Sequence, residues 1–241
     1  MWEKLELLHY ERQLELIGRR GQSRLKRSGV FIAGAGGLGT AAASYLAAAG
    51  IGRILIVDRD KIQVNNLNRQ VMYAEKDAGK LKAAALAGRL SRLNPHIEIR
   101  GEMVDISASD IRDGVSTFDV IVDALDNFPS RYILNSAALA QGIPLVHASI
   151  RGFYGQVTTL VPGLTPCLKC LFPEIPKDNT PSVLGPVCGV IGCLQAMEVI
   201  KYLLGNGSLL MNKLLVFDGL KGSLDEVEIG RRADCPECGG R

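Results

Sequence analysis

VFIAGAGGLGTAAASYLAAAGIGRILIVD, residues 30 to 58, decides how this 241-residue chain folds. Val30, Phe31 and Ile32 form an apolar, β-prone run. Gly34, Gly36 and Gly39 follow at the G-x-G-x-x-G spacing, with Gly37 among them. Thr40 to Ala49 is alanine-rich and predicts a buried helix, and Ile54 to Val57 predicts a second strand that ends at Asp58. In such a unit the first glycine permits a tight turn, the second lets backbone approach a phosphate, and the third lets helix and strand pack closely. The helix then aims its N-terminal amides at a bound anion, and an acidic residue at the tip of the next strand can accept from ribose hydroxyls. Asp58 stands in that position. The competing reading is a glycine turn needed only for packing.

Outward from this unit, composition narrows the class. Hydrophobic residues make up 47% of the chain and aromatics 5%, so a sizeable and mainly aliphatic core is expected,. This length fits one large α/β domain, with or without a small appendage. A formal charge of +3 gives no argument for nucleic acid,. Apolar runs of spanning length are broken by charge or glycine, so no membrane segment is expected. The start, MWEKLELLHYERQ, is charged and amphipathic and unlike a secretory signal,. Six cysteines, four of them in two C-x-x-C pairs, suit a metal in a reducing compartment better than disulfides, and a cytoplasmic location is expected,.

Along the chain, residues 4 to 27 predict one or two amphipathic helices. The segment from Asp60 to Gln70 is polar and follows a strand, so it should line the crevice at the carboxyl ends of the sheet,. Asn66, Arg69 and Gln70 are candidate phosphate contacts there, the arginine because its guanidinium grips two oxygens at once. A helix is expected over 75–93, with Lys82 near its start as a possible point charge and Lys80 on the surface. Strands are expected at 97–100, 118–123 and 145–149, a short helix at 107–114 and a longer one at 129–141. His96 is expected to open a strand and His147 to lie inside one, both structural. Asp126 follows the 118–123 strand and could hold magnesium, an ion that prefers oxygen ligands; the alternative is an N-cap for the next helix. Residues 153–162 predict an antiparallel strand, 172–186 a long loop, 186–204 a helix, and 213–218 with 224–229 a hairpin.

Cys167, Cys170, Cys235 and Cys238 form two pairs able to close a sulfur tetrahedron, for which zinc is the expected ion,. A redox dithiol or an iron–sulfur cluster is the alternative. A closed four-cysteine site leaves no position for chemistry and would pin the C-terminus to the base of the long loop. Cys188 and Cys193 read as small buried hydrophobes, although Cys188 lies near a helix start, where a thiolate is favoured.

Together these pieces resemble the ThiF/MoeB/HesA family, bacterial relatives of ubiquitin-activating enzymes, over nearly the whole chain. The resemblance rests on Tyr10-x-Arg12-Gln13, the GAGGLG turn with its downstream AGIG, and Asp58-x-Asp60. It continues through Asn66-Leu-x-Arg69-Gln70, Gly79-x-x-Lys82, Asp126-Asn127 with Arg131, the helix from Gly189 to Glu198, and the paired C-x-x-C. It implies a Rossmann-like, doubly wound α/β sheet, largely parallel with antiparallel strands in the C-terminal half, plus a four-cysteine zinc knuckle. One adenylation domain over 1–241 is implied, with a helical arm at 1–28, a nucleotide-binding core at 29–165, and the crossover loop, helix, hairpin and knuckle at 166–241. ATP and magnesium would be bound, and the C-terminal glycine carboxylate of a small β-grasp sulfur carrier ending in Gly-Gly would be adenylated with release of pyrophosphate. The implied nucleotide contacts are Gly34, Gly36, Gly37, Gly39, Asp58, Asp60, Asn66, Arg69, Gln70, Lys82, Asp126 and Asn127. The implied catalytic set is Asp126, Arg69, Lys82 and Arg12, the last reaching across a homodimer interface into the partner's site. Because the attacking carboxylate is already an anion, the chain would supply positioning and a pocket of fixed positive charge rather than a nucleophile or base.

One departure bears on the outcome. Some members carry a cysteine in the crossover loop, where this chain has Asp178. Activation by adenylation alone, with sulfur delivered by another protein, is the expectation. The competing functions are a nicotinamide-dependent oxidoreductase, a partner-binding member without chemistry, and activation of a small molecule or RNA.

Overall fold

In the computed structural model the residues described are 4–107, 111–175 and 182–239. Two helices open the chain, α1 (Lys4–His9) and α2 (Glu11–Arg27), and they lead into β1 (Gly29–Ala33), α3 (Gly37–Ala49) and β2 (Arg53–Val57). Then come α4 (Lys82–Leu93), β3 (Glu98–Glu102), α5 (Arg112–Val115), β4 (Val120–Asp123), α6 (Phe128–Gln141) and β5 (Leu145–Arg151). The last part holds β6 (Tyr154–Leu160), α7 (Leu168–Leu171), α8 (Gly185–Leu204), β7 (Lys213–Asp218) and β8 (Ser223–Glu228).

All eight strands join one sheet in the order β3-β2-β1-β4-β5-β6-β7-β8. The first five in that order run parallel, and β6, β7 and β8 pair antiparallel. This is the doubly wound sheet with antiparallel C-terminal strands that the sequence predicts. Alternation of side chains splits the core into two layers. Val30, Ile32, Val120 and Val122 face one cluster with α3, α4 and α8, while Phe31, Ala33 and Ile121 face the other with α5 and α6. The strand order reverses between β1 and β4, and such a switch point leaves a crevice outside the strand ends,.

Glycine sets the approach of α3 to β1. Gly34 has φ +104°, and a Cβ there would stand 2.5 Å from the Ala124 carbonyl oxygen. A Cβ on Gly39 would lie 1.9 Å from the Gly34 carbonyl oxygen. On the far side of α3, Gly192 of α8 seats against Ala41 and Leu38, so the alanine-rich helix is clasped closely on two faces.

Two expectations need correction. The 75–93 span is not one helix: residues 75–77 make a 3-10 turn, Gly79 takes φ +85°, and α4 starts only at Lys82. The left-handed glycine ends the turn and redirects the chain, which charge and alanine content along the segment do not reveal. His96 lies in a turn rather than opening β3. A third expectation concerned membrane segments. Helix α8 is long and apolar enough to cross a membrane, yet it packs in the core through Val187, Ile191, Ala196 and Val199. Asp178 and its neighbours in the crossover loop lie outside the described residues.

Gly39→Ala should lose about 2 kcal/mol of stability, because its methyl group meets backbone that cannot retreat. Urea unfolding monitored by circular dichroism measures the loss; an unchanged midpoint would mean that α3 can shift away from β1.

Candidate active site

A cleft of about 540 Å³ opens at the switch point. It is lined by Gly34, Gly36 and Gly37 of the glycine turn, Asp58 and Asp60 beyond β2, and Asn66, Arg69 and Gln70 of the polar segment. Lys82 at the start of α4 and Asp126 and Asn127 beyond β4 complete that group. Gly39 lies outside the lining and works by packing. Arg12 is exposed on α2 and also outside the lining of its own chain's cleft.

Local bonds explain how each group is held. Asp58 Oδ2 accepts from the Ala35 amide at 2.7 Å and Oδ1 from the Asp60 amide at 2.7 Å, so this carboxylate ties the glycine turn to the end of β2. Burial raises its pKa against the pull of those two amides. Lys82 Nζ donates to Asp60 Oδ2 at 2.8 Å, with the lysine side chain 8% exposed. Arg69 Nη1 donates to the Asn65 carbonyl and to Asn68 Oδ1, each at 3.0 Å, which holds its side chain in the cleft lining. Gln70 is buried, and its Oε1 has no partner among the described residues.

Asn127, not Asp126, caps α6: its Oδ1 accepts from the Ser130 amide at 3.0 Å. Asp126 is thereby released from a capping role. It is exposed to the cleft, accepts from Asn127 Nδ2 at 3.1 Å, and makes no ion pair among the described residues.

The charge balance corrects the expectation of a positive pocket. Arg59, Arg69, Lys82 and Arg131 face Asp58, Asp60, Asp105 and Asp126, so the cleft lining is formally neutral. Asp58, Asp60 and Asp126 are expected from the sequence, and Asp105, which follows β3, supplies the fourth carboxylate. Arg59 and Asp105 were not singled out, although both follow strand ends. Asp126 has the donor chemistry for magnesium, a hard cation that takes oxygen and keeps its waters.

Beneath this loop lies a buried group. His147 Nδ1 and Asp123 Oδ2 are 2.6 Å apart with both side chains fully buried. Asp123 Oδ1 accepts from the Leu125 amide at 3.1 Å, Arg131 donates to the Leu125 carbonyl, and Gln195 Nε2 donates to the Asp123 carbonyl at 2.8 Å. Both backbone groups of Leu125, the residue before Asp126, are thus held from below. Cys188 is buried at the cleft wall, where a Cβ on Gly37 would meet its Sγ at 2.6 Å. Burial pushes its thiol pKa up and Arg69 only partly opposes this, which disfavours a thiolate nucleophile,.

The four cysteines of the two pairs come together, all buried, with their sulfurs within 4.8 Å of one another. Cys167 and Cys235 sulfurs are 3.6 Å apart and those of Cys170 and Cys238 3.4 Å. A tetrahedron of about 2.3 Å zinc–sulfur bonds places sulfurs about 3.8 Å apart, whereas a disulfide needs about 2.0 Å. The donor set therefore fits zinc. Ser136 on α6 donates to Glu237 at 2.9 Å, and Arg231 donates to the Gly163 and Cys238 carbonyls, which ties the cluster to the sheet end.

Two predictions follow from these buried groups. Burial holds the folded His147 pKa below its ordinary value although Asp123 pulls it up. The unfolded chain then takes up the proton first, and stability falls as pH drops through the histidine range. Between pH 7 and 5.5 this residue should cost about 1 kcal/mol, and His147→Asn should remove that part of the slope in denaturant titrations. An equal slope in the variant would show that His147 takes up its proton equally in the folded and the unfolded chain. Purified protein should carry about one zinc per chain by elemental analysis, and Cys235→Ser should abolish it; full zinc retention in that variant would disqualify the cluster.

Comparison with known proteins agrees with this geometry. The ThiF family model matches residues 10–237. A SAMP-activating enzyme E1 from Haloferax volcanii is 42% identical, covering 97% of this chain and 89% of the relative. A sulfur carrier protein adenylyltransferase from Thermus thermophilus is 41% identical, covering 99% and 93%. The chain spans about half of the adenylyltransferase and sulfurtransferase MOCS3 of Sus scrofa, at 43% identity. Among solved structures, E. coli MccB with ATP superposes with a TM-score of 0.84 at 26% identity, over 96% of this chain and 73% of that one. The chain belongs to the ThiF family.

Proposed function

We propose that this chain is an adenylyltransferase that uses ATP to activate the C-terminal glycine carboxylate of a small β-grasp sulfur carrier ending in Gly-Gly. The observation that carries this reading is the convergence, at one switch point, of a glycine turn, Asp58, Arg69, Lys82 and Asp126, with no activated nucleophile beside them among the described residues. An incoming carboxylate brings its own negative charge, so positioning and charge neutralisation suffice. The named relatives, a SAMP-activating enzyme and a sulfur carrier protein adenylyltransferase, support the same reaction class.

In this reading the triphosphate lies over the α3 N-terminus, where amides of the glycine turn favour anions. Asp58 takes the ribose hydroxyls. Lys82 exchanges Asp60 for phosphate oxygens, and Arg69 with Asn66 and Gln70 orients the polyphosphate. The carboxylate of the carrier attacks the α-phosphorus, the bond to the bridging oxygen breaks, and pyrophosphate leaves with that electron pair. Asp126 would hold magnesium, which when bound offsets charge on the phosphate oxygens. The Asp123–His147 group keeps Leu125, and with it Asp126, at a set height above the sheet.

Residues 1–241 act as one adenylation domain with the arm, core and knuckle divisions given above, in the cytoplasm. Arg12 serves the site of a second copy in a homodimer. Tyr10 and Gln13 support this placement, because they anchor the arm on the α3 C-terminus and Asn94 while Arg12 points outward. The C-terminal cysteines hold zinc and play a structural part.

ATP–pyrophosphate exchange with candidate carriers tests the reading. Asp126→Asn should slow exchange by about 100-fold with an unchanged circular dichroism spectrum. Normal exchange by that variant would remove Asp126 from the mechanism. Absence of exchange by the unaltered chain with any such carrier, alongside turnover of a nicotinamide, would overturn the function itself.

A further inference from the structure

The cleft has two chemically different ends. The glycine turn, Arg69 and Lys82 occupy the polar one. At the other, above the ends of β2 and β3, Val57, Val104 and Ile106 present apolar side chains. Asp58 stands between the two. A nucleotide whose ribose meets Asp58 and whose phosphates meet the glycine turn must lay its base on the apolar end. That end is crossed by an ion pair, Arg59 Nη1 to Asp105 Oδ2 at 3.0 Å. Asp105 is itself fixed, since its Oδ1 accepts from the Ser107 amide at 2.9 Å and the Ser107 hydroxyl at 2.6 Å.

The pair does little for the fold. Its side chains are 57% and 36% exposed, and pairs of that kind contribute almost nothing to stability,. Its effect is to hold the Arg59 guanidinium on Asp105, in the part of the cleft lining that Val57, Val104 and Ile106 share. Within the Asp58-Arg59-Asp60 triplet, Asp58 holds the glycine turn and Asp60 holds Lys82, while Arg59 reaches Asp105 in the loop after β3 and keeps its Nε 3.9 Å from Asp60 Oδ1. Guanidinium planes stack well on flat π systems, a geometry that an ammonium does not share.

We propose that Arg59 is a base-binding residue that closes over the nucleobase, with Asp105 as the positioning residue that orients it. This rests on the nucleotide reading above. It assigns to Arg59 a contact with the base and none with the polyphosphate.

Binding of ATP and of inorganic tripolyphosphate, a probe with the phosphates but no base, separates the two roles. Isothermal titration of the full chain should show Arg59→Ala binding ATP about tenfold more weakly while tripolyphosphate affinity stays as in the unaltered chain. Arg59→Lys should not restore ATP affinity, and Asp105→Ala should weaken ATP severalfold through loss of orientation, again sparing tripolyphosphate. Equal losses for ATP and tripolyphosphate in Arg59→Ala, recovery by lysine, or unchanged ATP binding would each overturn the proposal. Thermal unfolding midpoints of the variants should match that of the unaltered chain; a fall in the midpoint that parallels the lost affinity would return the pair to a structural role. If the unaltered chain binds no ATP, the adenylyltransferase reading fails first, and that result is distinct from every variant outcome.

Discussion

The steric contact between Gly39 and the Gly34 carbonyl governs the rest of the molecule. With no side chain at either position, the first turn of α3 rests directly on the strand end. That contact sets where the helix amides point and how far the glycine turn stands from β4. The same two-sided clearance recurs where Gly192 admits α8 against α3. Helix α8 in turn donates Gln195 to the carbonyls of Asp123 and Val146, so the packing of small residues reaches the loop that carries Asp126.

The cleft is a set of preformed pairs, not a well of one sign. Lys82 rests on Asp60, Arg59 on Asp105, and Arg131 lies beside Asp123. Such pairing keeps the cleft from holding loose buried charge before substrate arrives, which would be costly. It also means that an incoming polyphosphate gains its contacts by exchange of partners. Among the described residues Asp58, Arg69 and Asp126 make no ion pair: Asp58 is held by backbone amides, Arg69 by the Asn65 carbonyl and Asn68, and Asp126 by Asn127.

Support for the cleft comes from elements that never touch it. The Asp123–His147 pair sits below the Asp126 loop, and the ring of His147 lies edge-on to Phe172, whose carbonyl accepts from Tyr132. Phe172 lies two residues beyond Cys170, the second cysteine of the first pair. The cysteine cluster therefore anchors both the C-terminus and the start of the crossover segment on one face of α6.

Much of this was legible in the order of residues. Glycine spacing, strand runs ending in acids and an alanine-rich helix specify the first βαβ unit through local chemistry alone, and the paired cysteines declare a sulfur cluster despite their separation along the chain. Most residues singled out from motifs do converge on the cleft. What the one-dimensional pattern left hidden depends on which loops meet in space. Asp105 and Arg59 pair only because β2 and β3 lie side by side. Asn127 takes the cap from Asp126 through backbone geometry, and Gly39 packs rather than lines. The cleft's charge is neutral because carboxylates arrive from three separate strand ends. Local propensity and spacing are properties of the chain itself, whereas charge balance, burial and partner choice arise when distant segments share one low-dielectric volume, and only the tertiary structure decides those.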